Sequence, residues 1–154
     1  MKRRQAIVLA SALCVAPFLF ASNQQNDPAP LEVTQSVKPG DSGDVLAMAA
    51  KNVSTKQIRG CVLRVDFVNA TGKVASHVAR LTVKSVKAAK PYVDPGEQFT
   101  WRDIAVTKDA SGASTTPRIT VDAVVFTDGT RWGPFATPES QRLISMTQGT
   151  DTAK

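Results

Sequence analysis

The chain has 154 residues, 42% of them hydrophobic and 21% charged, enough to build the core of one ordinary domain and too apolar for a disordered polymer. Its formal charge is +6, but Lys2, Arg3 and Arg4 crowd the amino terminus, and the remainder sets 16 basic against 13 acidic side chains with no basic block. Nucleic-acid-binding domains concentrate basic charge on one face, so that class is set aside.

The amino terminus reads as a leader. Lys2-Arg3-Arg4 precedes an apolar run from Ala6 to Phe20, then Ala21, Ser22 and polar Asn23-Gln24-Gln25-Asn26. Positive head, short apolar centre and small-residue exit describe a bacterial-style signal peptide over residues 1–21. The run is shorter than the roughly 20 residues a helix needs to span a bilayer, and Pro17 interrupts it. Leu19 sits three residues before the expected cut, where a small residue is usual, so retention as an anchor stands as the alternative. The expected location is outside the cytoplasm, periplasmic or secreted. Removal of the leader takes Cys14 with it and leaves Cys61 alone, without an internal disulfide.

Residues 22–30 (SNQQNDPAP) form a polar spacer. Leu31 to Lys38 is the first strand, stopped by Pro39-Gly40 and Asp41-Ser42-Gly43-Asp44. Val45 to Asn52 is rich in Ala and Met, which favour helix, but turn signals bound it tightly and a strand is the better reading. Ile58 to Val68 is a central strand, with Cys61, Leu63, Val65 and Phe67 on one face and Arg64 and Asp66 on the other. After the turn Asn69-Ala70-Thr71-Gly72, Val74 to Lys84 returns with Leu81 and Val83 inward. Lys87 to Gly96 is a loop with two prolines. Gln98 to Val106 is a strand whose alternation shifts phase between Trp101 and Ile104, which predicts a bulge near Arg102-Asp103. Asp109 to Thr116 is a small-residue loop.

The best-defined stretch is Arg118 to Phe135. Ile119, Val121, Ala123 and Val125 alternate with Thr120, Asp122, Val124 and Phe126, predicting a strand with the first set on a core. Asp128-Gly129 predicts a two-residue hairpin turn into Thr130-Arg131-Trp132. Thr137-Pro138-Glu139 then supplies an N-cap, a first-turn proline and an early acid for a helix over 138–148, its docking stripe formed by Leu143, Ile144 and Met146. Gly149 stops it, and residues 150–154 form a tail.

About seven strands at intervals near ten residues, without βαβ alternation, predict an all-β antiparallel sandwich with one short carboxy-terminal helix over residues 31–149. The combination Lys51-Asn52-Val53-Ser54…Ile58, Pro95-Gly96-Glu97…Phe99 and Asp128-Gly129-Thr130…Trp132-Gly133 resembles immunoglobulin-like or fibronectin-like modules of secreted bacterial proteins. The resemblance implies an immunoglobulin-like sandwich. The Cys…Trp…Cys pattern of antibody domains is absent.

The sequence supplies few groups for chemistry. One histidine, His77, and one mature cysteine are too few for a zinc site of the Cys/His type. No G-x-S-x-G elbow, P-loop or dinucleotide fingerprint is present, and the carboxylates Asp66, Asp94, Asp103, Asp122 and Asp128 come singly. Metal and cofactor are therefore expected to be none. Tyr92, Trp101 and Trp132 fall near turns or strand ends and are the candidate ligand-binding residues, because flat rings on a rigid frame stack on apolar faces at small entropic cost. The expected function is a non-catalytic module binding an envelope protein, through a strand edge, or a polysaccharide, through Trp132 and Tyr92. A structural spacer of the envelope, or a hydrolase using His77 and a nearby acid, are the alternatives.

Overall fold

The computed structural model describes residues 27–84 and 89–148. The expected leader, residues 22–26 of the spacer, Gly149 and the tail lie outside the described residues. The elements run β1 (Leu31–Lys38), β2 (Val45–Asn52), β3 (Ile58–Val68), β4 (Val74–Val83), β5 (Gln98–Thr100), β6 (Ile104–Ala105), β7 (Thr116–Phe126), β8 (Arg131–Trp132) and α1 (Pro138–Gln148). One antiparallel sheet sets β1 on one side of β2 and both β5 and β6 on the other; the second has the order β4-β3-β7-β8. Leu31 and Ala50 of the first sheet share one apolar cluster with Ile58, Cys61, Val124 and Phe126 of the second, and Leu46 and Met48 meet Val65 and Phe67 in another. The two sheets therefore pack face to face.

The helix-favouring segment Val45–Asn52 is a strand because its even-numbered residues, Leu46, Met48, Ala50 and Asn52, all turn into the core. The strand expected over Gln98–Val106 is broken in two. The Trp101 N–H still bonds the Met48 carbonyl of β2; the chain leaves the sheet at Arg102–Asp103, where the sequence changes phase, and both pieces pair with β2. Asn52 is fully buried at the end of β2 and every polar atom of its side chain is used. Its Nδ2 donates to the carbonyls of Lys56 at 2.8 Å and Val93 at 3.1 Å, and its Oδ1 accepts from the Ser54 N–H at 3.0 Å and hydroxyl at 2.7 Å. Val93 in turn exchanges backbone hydrogen bonds with Ile58. This node ties the crossing from β2 to β3 to the return of the chain into β5.

Two bulges in the β3–β7 ladder reshape the second sheet. Ile58 opposes Phe126 and Gly60 opposes Val125, leaving Arg59 as an extra residue on β3; Val62 opposes Ala123 and Leu63 opposes Val121, leaving Asp122 extra on β7. Each bulge reverses which face the following side chains take. The single inward face expected for β7 is therefore corrected: Ile119 and Val121 pack toward the first sheet, but past Asp122 it is Val124 and Phe126 that do so, while Ala123 and Val125 face outward. Leu81 and Val83, expected inward, pack on this outer cluster too. They are partly covered because α1 lies over that face, its Leu143 completely enclosed between β3, β4 and β7.

The helix occupies the span expected of it, but its docking face differs. Ser140, Leu143 and Thr147 are buried, whereas Met146 is 46% exposed. Hydroxyls can occupy this face because they bond the helix itself: Ser140 Oγ donates to the Thr137 carbonyl at 2.6 Å and Thr147 Oγ1 to the Leu143 carbonyl at 2.9 Å. The Asp128-Gly129 turn also differs. Phe126 N–H bonds the Thr130 carbonyl and Gly129 N–H the Phe126 carbonyl, so the loop has three residues, with only Gly129 at positive φ (81°). A two-residue type I′ turn would need Asp128 there as well. The same three-residue loop closes between Asn69 and Lys73 and between Asp109 and Ala113, so the expected small-residue loop after Asp109 is a tight hairpin.

Candidate functional site

The three candidate aromatics are dispersed. Trp101 wedges between the two inter-sheet clusters and pairs with Phe99 at a ring-centroid distance of 4.7 Å; its indole Nε1 is buried without a hydrogen-bond partner. Tyr92 lies half-buried on the loop before β5 with the Lys90 ammonium 6.0 Å from its ring centre. That ammonium is itself held by Asp94 at 2.9 Å and Glu97 at 2.7 Å, which raise the Lys90 pKa and lower both carboxyls. Trp132 packs one side on the core and donates its Nε1 to the Asp27 carbonyl at 3.1 Å.

Of the three, Trp132 lines a concavity. At one end of the sandwich the lead-in Asp27–Pro30, the β2–β3 loop and the β7–β8 hairpin enclose a cavity of about 540 Å³ walled by Pro28, Pro30, Val53, Phe126 and Trp132. Val53 is half exposed at its mouth. Lys56 crosses the rim, with its ammonium 2.8 Å from Asp128 and 3.0 Å from the Thr130 hydroxyl. The Lys56 ammonium and the Thr130 hydroxyl hold the Asp128 carboxyl down at about 2. This end offers apolar stacking beside a charge that is already paired.

A second concavity, of about 640 Å³, opens at the far end between β1 and the first residues of β7. It exists because β8 is only two residues long: it pairs Trp132 with Val124 and Arg131 with Val125, and the chain then leaves the sheet. The departure is fixed by Gly133, where a Cβ would sit 2.4 Å from the Asp122 carbonyl oxygen, and by Phe135, whose φ is +54°. Among the described residues no strand pairs with the outer side of Thr116–Val121. The Pro117 carbonyl points to that side, where it accepts from Gln35 Nε2 of β1 at 3.3 Å. Val33, Val68 and Ile119 supply apolar walls and Arg118 a positive charge. This arrangement can bind through backbone hydrogen bonds and apolar burial.

Sequence reasoning missed this cleft, although Pro117 was the available signal. A proline in a strand-like run marks a side of the strand without a neighbour. His77 is exposed on β4, and among the described residues no group of three His, Cys, Asp or Glu side chains converges. Among the same residues no helix is long and apolar enough to cross a membrane. Comparison with family models, with curated proteins and with solved structures finds no match.

Proposed function

We propose that the chain is a non-catalytic β-sandwich module of the immunoglobulin-like kind that works outside the cytoplasm and binds a protein partner of the cell envelope. The architecture is supported by strand order. Lettering β1, β2, β3, β4, β5/β6, β7 and β8 as A, B, C, C′, E, F and G gives A-B-E against C′-C-F-G, the immunoglobulin-like connectivity without a D strand. The location rests on the leader-like sequence of residues 1–21.

The observation that carries protein binding is the outer side of Thr116–Val121, which no strand among the described residues pairs, beside the 640 Å³ cleft. Backbone donors and acceptors in a row recognise another backbone, and an apolar cleft adds selectivity for its side chains. A glycan is the second reading, favoured by Trp132 and its 540 Å³ cavity at the other end. The test is a pull-down from an envelope extract with the carboxy-terminally tagged chain, expressed with its leader, with proteins and glycans both identified. Recurrent recovery of one protein, lost on blocking the β7 side, is the expected result. Recovery of a glycan alone, lost in Trp132→Ala, would replace the protein partner by a sugar.

A further inference from the structure

Resting on that reading, we propose that the partner binds by donating one extended strand of about six residues to the outer side of Thr116–Val121. The donated strand runs antiparallel to β7 and completes the row that β8 leaves unfinished.

The polarity of the backbone groups follows from the β3–β7 ladder. Thr116 to Val121 pair regularly with Val68 to Leu63. In an antiparallel pair, alternate residues turn both N–H and C=O to the same side. The Pro117 carbonyl points away from β3, toward Gln35. Ile119 and Val121, two and four residues on, turn their N–H and C=O groups the same way. Three consecutive outward positions thus offer three acceptors and two donors, a row that only an extended backbone matches in spacing. The Gln35 side-chain amide stands in for the first N–H that such a backbone would supply.

Pro117 also constrains the guest. The residue facing it gives an N–H and receives none, so its own carbonyl must remain wet; that residue belongs at the open mouth of the cleft. The other limit is Asp122, whose carbonyl accepts the Phe135 N–H at 3.0 Å as the chain crosses to α1. Between these limits lie six residues of β7, about 20 Å of strand.

Side-chain preferences follow from the walls. Alternate residues of the guest face the cleft between Val33, Val68 and Ile119, and these are apolar. The intervening residues look outward beside Arg118. Asp66, which opposes Arg118 on β3, is engaged by Arg64 at 2.8 Å, so an acidic residue of the guest answers the Arg118 charge. The donated segment is therefore an alternating apolar strand with an acidic residue on its solvent face.

The probe is a capped hexapeptide alternating valine and threonine, with one threonine replaced by glutamate, added at about 1 mM to the full chain. Amide hydrogen exchange is read at Ile119 and Val121. The expected result is slowing of about tenfold at both amides, absent with the same peptide N-methylated at alternate residues. No slowing, or equal slowing by the N-methylated peptide, would overturn strand donation. Protection of both amides without peptide, rising with protein concentration, would put a second copy in the cleft and also overturn it. A recovered envelope protein that leaves these amides unprotected would keep the binding-module reading and remove strand donation alone. Peptide protection with no protein recovered would do the reverse.

Discussion

The Asp122 carboxylate accepts the Thr137 hydroxyl at 2.6 Å and the Thr137 N–H at 3.0 Å, and takes the Ala136 N–H at 2.8 Å. A bulge residue of β7 thus satisfies the amino-terminal end of α1 and places a negative charge at the positive end of its dipole. At the other end, Arg59, the bulge residue of β3, donates from Nη1 to the Thr147 carbonyl at 3.3 Å. The last turn of the helix has no basic residue of its own, and Arg59 supplies the cation from the sheet.

Replacing Asp122 by Ala is expected to cost about 2–3 kcal/mol, since it leaves the buried Thr137 hydroxyl and N–H without their acceptor. Urea unfolding followed by circular dichroism measures it. Burial works to raise the Asp122 pKa, but the bonds from Thr137, Ala136 and Ser140 outweigh it and the net shift is downward from 3.8. A folded pKa below the unfolded one contributes stability that is complete above about pH 4 and lost as pH falls through the folded value. The acid limb of stability against pH should flatten in Asp122→Asn; an unchanged limb would move the acid sensitivity elsewhere.

Gly60 is the contact point for the helix. A Cβ there would meet Leu143 Cδ1 at 2.6 Å and the Thr82 carbonyl at 2.9 Å, and the backbone atom cannot yield. Gly60→Ala should destabilise by about 1–3 kcal/mol and Leu143→Ala by about 2–5 kcal/mol. The double variant should cost less than the sum, because shortening Leu143 frees part of the space the new methyl needs. Additive losses would show that α1 does not press on Gly60.

Cys61 is buried among Ala50, Ile58 and Val124, and burial pushes its thiol up to about 12. Iodoacetamide at pH 8 should leave Cys61 unlabelled in the native protein and modify it fully in denaturant. Labelling at the same rate in both states would contradict the packing of β3.

The two tryptophans should report different surroundings. Trp132→Phe leaves only Trp101, wedged between the sheets, and should shift the emission to the blue. Trp101→Phe removes an N–H that is buried without a partner, which offsets part of the loss from the smaller ring. A change within about 1 kcal/mol is expected by chemical denaturation. A loss above that would mean that the indole N–H is paired in solution.

Strand positions were legible because alternation and turn residues are local signals. Pro39-Gly40, Asn69…Gly72 and Thr137-Pro138 bound their elements where expected. The phase change at Trp101–Ile104 was legible too, though as a bulge in one strand where the structure has a break. The bulges at Arg59 and Asp122 were hidden, since an extra residue inside an apolar run such as Ala123–Phe126 leaves the composition unchanged while exchanging the faces. The docking face of α1 was misread for a related reason: Ser140 and Thr147 are polar by composition but spend their hydroxyls within the helix. Of the candidate aromatics, Trp132 alone was positioned by its neighbours at a concavity.

Held at both ends by charges on neighbouring strands, α1 acts as a ruler. Its eleven residues span about 16 Å from the end that Asp122 holds to the end that Arg59 holds. Inserting one residue would rotate the far end by about 100° and carry Leu143 or Thr147 out of register with one anchor. The three-residue hairpin loops can change length at the surface, but the helix cannot, and the interval between the two bulges sets how long it must be.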